Sequence, residues 1–312
     1  MKPPALQGSE YHLPLTEPTI NIPSVNFHLW EPCNMRCQFC FATFKEVKQT
    51  VLPKGHLPKY QALDIIRHLA EMGFEKVTFA GGEPTLCPWL LELIALAKDL
   101  GLTTMLVTNG TKLTKEFLKA NKNKLDWITI SIDSLNVSTN LKAGRAITGK
   151  QALGFEEYTA IVDNIKGYGY GFKMNTVISR LNFEENMVDF ISYAKPSRWK
   201  ILQVLPIKGE NDAHIGKLKI TEEEFQYFID KHSMLKDITK LIPEANNQMK
   251  GSYVMVDPAG RFFDNTDGKI KYSQPILKVG GNNAFKEMPY DTEKFLERGG
   301  IYDWQLNKSV NL

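Results

Sequence analysis

The chain has 312 residues, 43% of them hydrophobic and 23% charged, and a formal net charge of +3. That is enough apolar material for one large core, and too little net charge for a nucleic-acid binder, though it leaves room for a local basic pocket. Four cysteines do not make a secreted disulfide scaffold, no apolar run of about 18 residues is present to span a membrane, and the N-terminus lacks a signal-peptide plan, so a cytoplasmic, monomeric enzyme is expected.

In chain order, residues 1–23 contain Pro3, Pro4, Pro14, Pro18 and Pro23 and read as an extended arm. Ser24 to Leu29 alternates apolar and polar residues and reads as a strand that feeds directly into Cys33-Asn34-Met35-Arg36-Cys37-Gln38-Phe39-Cys40-Phe41. Cys33, Cys37 and Cys40, with three and then two residues between them, bend around one iron–sulfur cluster and leave the fourth iron of a cubane open. A closed zinc site, with His28 or Cys87 as fourth ligand, is the competing reading.

A helix is expected over Tyr60 to Met72, with Leu63, Ile66, Leu69 and Ala70 on one face and Gly73 as its stop. The alternation then continues. Strands are expected over Lys76 to Ala80, Thr103 to Thr108, Trp127 to Ile132, Phe172 to Ile178 and Trp199 to Leu205. Helices are expected over Trp89 to Leu100, Thr114 to Ala120, Phe155 to Ile165 and Glu184 to Ala194. Six strand–helix units in series imply the α/β class: a parallel sheet curled into a partial (βα)6 barrel over 24–207.

After Ile207, Thr221 with Glu224 forms a capping box for a helix to about Met234. Ser252 to Val256 and Arg261 to Phe263 read as a hairpin around Asp257-Pro258-Ala259-Gly260. Residues 208–312 are expected to cover the open side of the barrel and not to form a domain of their own.

In parallel α/β folds, ligands collect where the loops converge at the carboxyl ends of the strands. The cysteine loop, Gly81-Gly82-Glu83-Pro84, Asn109 and Ser131 fall at or near such ends. The cysteine loop resembles the signature of the radical S-adenosylmethionine (SAM) enzymes, in which SAM binds the open iron of a [4Fe–4S] cluster. That resemblance implies SAM contacts at Phe39, Gly81, Gly82, Glu83, Asn109, Ser131 and Arg145. The two glycines let a charged amino group approach the backbone, or form an ordinary turn. Arg145 offers a fork suited to a carboxylate, and it and Ser131 are otherwise surface groups. Cys87 reads as a packing residue. With no cysteine to spare for auxiliary clusters, the chain does not fit the peptide-modifying members of the superfamily.

Lys173 and Asn175 share one face of a strand, as do Arg198 and Lys200 on the next, and Arg298 comes from the tail. Basic residues on inner strands suit an entering polyanion, or else ion pairs with the chain's own carboxylates. The stretches 24–28, 79–84, 131–134, Asn175-Thr176-Val177-Ile178, Arg198-Trp199-Lys200, Gly209-Glu210-Asn211 and Phe295-Leu296 through Arg298-Gly299-Gly300 are similar to the viperin family of radical SAM enzymes. That resemblance implies conversion of a nucleoside triphosphate (CTP, UTP or GTP foremost) to a chain-terminating 3′-deoxy-3′,4′-didehydro nucleotide of antiviral defence. It also implies a reductase or flavodoxin-type electron donor, and substrate contacts at Asn26, Lys173, Asn175, Arg198, Lys200 and Arg298. No catalytic acid is assigned. Another radical SAM enzyme acting on a nucleotide or cofactor precursor, and a non-catalytic metal-binding module, are the alternatives.

Overall fold

A computed structural model describes residues 22–305. All of the expected N-terminal arm except Ile22 and Pro23 lies outside the described residues. The strands are β1 (Ser24–Trp30), β2 (Lys76–Gly81), β3 (Thr103–Thr108), β4 (Trp127–Ser131), β5 (Gly171–Ile178), β6 (Arg198–Gln203), β7 (Lys240–Glu244), β8 (Val254–Val256), β9 (Arg261–Asp264) and β10 (Lys271–Pro275). They form one sheet in the order β10-β9-β8-β1-β2-β3-β4-β5-β6-β7, parallel from β8 through β7. The β8–β9 hairpin is antiparallel, and Asp257 fixes its turn by accepting from the N–H groups of Ala259 and Arg261 at 3.0 and 2.8 Å.

The six expected strands pair in sequence order, and one apolar face of the sheet has helices to pack on. Val77 and Phe79 of β2 are fully buried with Ile65, Ile66 and Leu69 of the helix Lys59–Glu71 and Leu93 and Ile94 of the helix Leu90–Asp99. The sheet curls. Cations from β2, β5 and β6 all reach the ring of Tyr302, and Lys200 of β6 bonds the Tyr253 hydroxyl, just before β8, at 2.7 Å. A flat ten-stranded sheet would hold β6 and β8 far apart.

The C-terminal residues add to both edges of this sheet, with β7 beyond β6 and β8–β10 beyond β1. The region expected as a cover is therefore continuous with the barrel wall. Several expected bounds shift: the helix expected to about Met234 ends at Lys231, and the hairpin strand expected from Ser252 starts at Val254. The helix expected from Glu184 starts at Val188, because the Met187 N–H, which would otherwise continue the turn, donates to His232 Nε2 at 2.9 Å. The strand expected over Trp199 to Leu205 runs from Arg198 to Gln203. No helix among the described residues is long and apolar enough to cross a membrane.

Candidate active site

The cysteine loop leaves β1 at Trp30 and is stitched to its neighbours by its backbone. The N–H groups of Arg36 and Gln38 donate to the carbonyls of Gly144 and Ala143 at 3.1 and 2.9 Å, and the Asn34 carbonyl accepts from Thr148 N at 2.9 Å. Asn34 also reaches sideways, donating to Thr111 Oγ1 and accepting from Asn109 Nδ2, each at 2.8 Å. On the far side, Glu210 holds the backbone N–H of Thr43 at 2.6 Å and its hydroxyl, and Asn211 donates to the Phe39 carbonyl at 3.3 Å. The Phe39 ring itself packs with Ala143, Val204 and Ile215. Burial pushes the Cys37 and Cys40 thiols up, to about 12 and about 11, so cluster assembly must release their protons.

Gly82 is the point of closest approach. A Cβ there would stand 2.1 Å from the Glu31 carbonyl and 2.5 Å from that of Pro32. Gly81 has φ +149°, and a Cβ there would meet the Trp30 carbonyl at 2.4 Å. The next residue, Glu83, is buried, and its carboxylate accepts from Thr85 N, Thr85 Oγ1, Thr108 Oγ1 and Asn109 N at 2.6–3.1 Å. It therefore braces β2 against the loop after β3. The Asn109 side chain is occupied in the same way, between Asn34 and Thr111.

Ser131 ends β4, and its carbonyl accepts from Arg145 Nη2. Arg145 lies buried against Cys37, with Nη1 3.7 Å from Sγ and 2.9 Å from Asp133 Oδ2. Its fork is thus filled from within the protein, while Nε is buried without a partner. Burial opposes the guanidinium charge, but Asp133, Cys37 and Tyr158 together outweigh burial and hold the group above its ordinary range. Sequence reading assigned no role to Asp133, which also accepts from Val177 N at 2.8 Å and so ties β5 to Arg145.

The competing zinc reading finds no fourth ligand in His28 or Cys87. His28 is buried edge-on against Phe41, Phe44 and Phe263, and burial pulls its pKa down to about 3, so it is a neutral core residue. Cys87 is buried in the main core. Among the described residues no three His, Cys, Asp or Glu side chains are grouped to hold a single metal ion. A cluster takes its thiolates on separate irons and is not bound by that requirement.

Towards the amino ends of the strands the barrel interior turns basic. Lys76, Lys173, Arg198 and Arg298 are each at most 7% exposed, and Lys200 is nearly as covered. One carboxylate lies among them. Glu244 is fully buried, pairs with Lys200, accepts from the Tyr253 hydroxyl, and lies 3.7 Å from Arg298. Arg298 also donates twice to the Ser252 carbonyl, at 3.2 and 2.8 Å, with its guanidinium 3.6 Å from the Tyr253 ring centroid. Lys76, Lys173 and Arg198 have no carboxylate partner among the described residues. They gather on Tyr302, whose hydroxyl takes Lys173 at 2.9 Å and Lys76 at 3.3 Å, with Arg198 over the ring at 4.3 Å. Arg198 Nε and Asn175 Oδ1 are buried without partners. Asn175 stands one pleat above Lys173 and level with Ser131, and half-buried Asn26 lies on β1 between Thr78 and Met255.

The model of the radical SAM superfamily matches residues 30–194. An S-adenosylmethionine-dependent nucleotide dehydratase of Flammeovirga pacifica is 55% identical over 91% of this chain and 97% of its own length. The chain belongs to the nucleotide dehydratase (viperin) family of radical SAM enzymes. A relative of the same name from Lacinutrix mariniflava is 60% identical over 93% of this chain, which spans 60% of that protein's length. The solved structure of anSMEcpe with bound AdoMet and Kp18Cys peptide shares the fold, with TM-score 0.65, 15% identity, and coverage of 88% of this chain and 82% of its own.

The family's cofactors are a [4Fe–4S] cluster and SAM, and the residues present fit them. Three thiols lie on one stitched loop, the backbone at Gly82 admits no side chain, and Arg145 Nε is left unpartnered beside Cys37. For a dehydratase of this family, sequence reading missed Lys76, Glu244 and Tyr302. Strand alternation does mark Lys76: with Thr78 and Ala80 it shares the face opposite Val77 and Phe79.

Proposed function

We propose that this chain converts a nucleoside triphosphate to its 3′-deoxy-3′,4′-didehydro derivative, with the triphosphate among Lys76, Lys173, Arg198, Lys200 and Arg298. The observation that carries this reading is five basic side chains gathered inside the barrel, with one carboxylate among them that pairs with only two. Burying unpaired charge costs several kcal/mol per ion, so such an excess persists where a polyanion offsets it. Lys76 and Gly81 are the two ends of β2, roughly 16 Å apart at about 3.3 Å per residue. A triphosphate among the cations therefore places the ribose near Asn175 and Asn26, below the cysteine loop.

Cys33, Cys37 and Cys40 would hold the cluster, and SAM would sit against Gly81, Gly82 and Ser131, with Arg145 supplying positive charge beside Cys37. When bound, these cofactors supply a 5′-deoxyadenosyl radical, which takes the hydrogen from C4′ of the nucleotide. The 3′-hydroxyl then takes up a proton and departs as water, and one further electron from the external donor reduces the remaining nucleotide radical to the closed-shell product. The contribution of the chain's own residues is positional: the cations fix the triphosphate, and the orphaned amide oxygen of Asn175 is placed to accept from a ribose hydroxyl. Reduced protein incubated with SAM and CTP, UTP, GTP or ATP separately is expected to form 5′-deoxyadenosine faster with one of them. Stimulation by none would overturn the reading.

The cations also set a pH dependence. Burial, partly offset by Glu244, draws the Lys200 ammonium down to about 8, and burial draws Lys76 and Lys173 well below the ordinary lysine range. A bound polyanion favours the charged forms, so binding takes up protons wherever the empty site has lost them. Nucleotide affinity is expected to fall as pH rises through about 8. Calorimetry in buffers of different ionisation enthalpy should register proton uptake there, and Lys200→Arg should flatten the profile.

A further inference from the structure

The basic end of the barrel is as notable for what its oxygens are doing as for its cations. No carboxylate bears on Lys76, and Glu244 is the one that bears on Lys173, Arg198 and Lys200. That carboxylate is spent. Lys200 and the Tyr253 hydroxyl take one oxygen each, with Arg298 Nη1 3.7 Å from the first. The neighbouring oxygens are spent too. The Tyr302 hydroxyl takes Lys173 and Lys76, the Ser252 carbonyl takes Arg298 twice, and the Gly299 carbonyl accepts from Arg198 Nη2 at 2.7 Å. Glu75 and Asp303, next in sequence to Lys76 and Tyr302, are exposed, and Asp303 accepts from Gln305 N at 3.1 Å. Among the described residues, no carboxylate inside this end of the barrel is left for a hard cation.

We infer that Lys76, Lys173, Arg198, Lys200 and Arg298 take the nucleoside triphosphate as the free anion, without the magnesium ion that nucleotides ordinarily carry. The inference rests on the proposed triphosphate site and adds to it the form of the substrate. Magnesium demands a near-ideal octahedral shell of oxygens, gives up its waters reluctantly, and is held at phosphates through one or two protein carboxylates. None is free here. The five basic side chains carry magnesium's own sign of charge and repel it, and salt screens such buried groups little. A magnesium ion would also cancel part of the phosphate charge that these side chains are placed to meet. The reaction gives it no task. Magnesium at a triphosphate neutralises charge that develops while a phosphoryl group is transferred. In the proposed dehydration the bonds that change are at C4′ and C3′, and the triphosphate serves only to hold the ribose in place.

The test uses the full chain with its cluster reconstituted and left oxidised, so that SAM binds without turnover. CTP, UTP, GTP and ATP are the probes, in equilibrium dialysis at constant ionic strength. Each is dialysed first with EDTA, and then with magnesium enough to complex about 99% of the nucleotide. When only the free anion binds, the apparent Kd rises by the inverse of the free fraction, about 100-fold. Magnesium in the protein chamber should match a control without nucleotide. An exchange-inert chromium(III) complex of the same nucleotide, which cannot shed its metal, should fail to bind. Affinity that magnesium leaves unchanged or raises, with about one magnesium retained per bound nucleotide, would overturn the inference and leave the triphosphate site standing. Binding of the chromium complex would do the same. Binding of none of the four nucleotides in either buffer would overturn the triphosphate site, and this inference with it.

Discussion

Replacing Cys37 by Ala is expected to abolish the visible absorbance of the reconstituted protein and all SAM cleavage. Cys37 lies between two loop bonds to the 142–145 turn and faces Arg145 Nη1 at 3.7 Å, so no neighbouring donor stands ready to replace its thiolate. Two thiolates leave two irons open, and a cubane normally takes four ligands. The control is Cys87→Ala. That thiol is buried in the main core, well away from any role in ligation, so its loss is a modest packing defect of about 1 kcal/mol and activity persists. Iron content, absorbance and 5′-deoxyadenosine yield measure all of this. Full activity in the Cys37 variant would contradict the cluster assignment, and inactivity of the Cys87 variant alone would mean that the wrong thiols were chosen.

Lys200→Ala and Arg298→Ala are each expected to weaken nucleotide binding by about 10- to 100-fold, because a charge-assisted hydrogen bond to phosphate contributes roughly 1.5–3 kcal/mol. Both side chains also touch Glu244, so part of each effect is the release of that carboxylate towards the anion, which adds to the loss. Iron content and slow, nucleotide-independent SAM cleavage should survive, since neither residue touches the cysteine loop. Titration of each variant with nucleotide decides the matter. Unchanged affinity in both would make them ion-pair partners of Glu244 and place the triphosphate elsewhere.

The parallel strands were legible because each is a short, largely apolar run, and a Gly-Gly or Asn-Gly stop closes β2 and β3. β7 was not. Its Lys-Leu-Ile-Pro-Glu run carries Pro243, which argues against a sheet interior, and it pairs with β6 as the last strand of the sheet, where a missing donor is tolerated. The 3D position of Glu244 was lost with it. The cysteine loop could be read because metal-ligand spacing is local. Arg145 could not: its fork is filled by Asp133 and the Ser131 carbonyl, a pairing settled only once the turn after β4 folds back on Cys37. The tail illustrates the same limit. Nothing in Ile301-Tyr302-Asp303-Trp304 announces that Tyr302 enters the barrel between Lys76 and Lys173, or that the Trp304 carbonyl is held by Trp127 Nε1 at 2.8 Å.

The most direct test is mass spectrometry of both products after reduced protein is incubated with SAM and the stimulating triphosphate, deuterated at C4′. The account predicts 5′-deoxyadenosine carrying one deuterium, and a nucleotide that retains all three phosphates and lacks one water. Deuterium left on the nucleotide, or a product that keeps its 3′-hydroxyl, would contradict it.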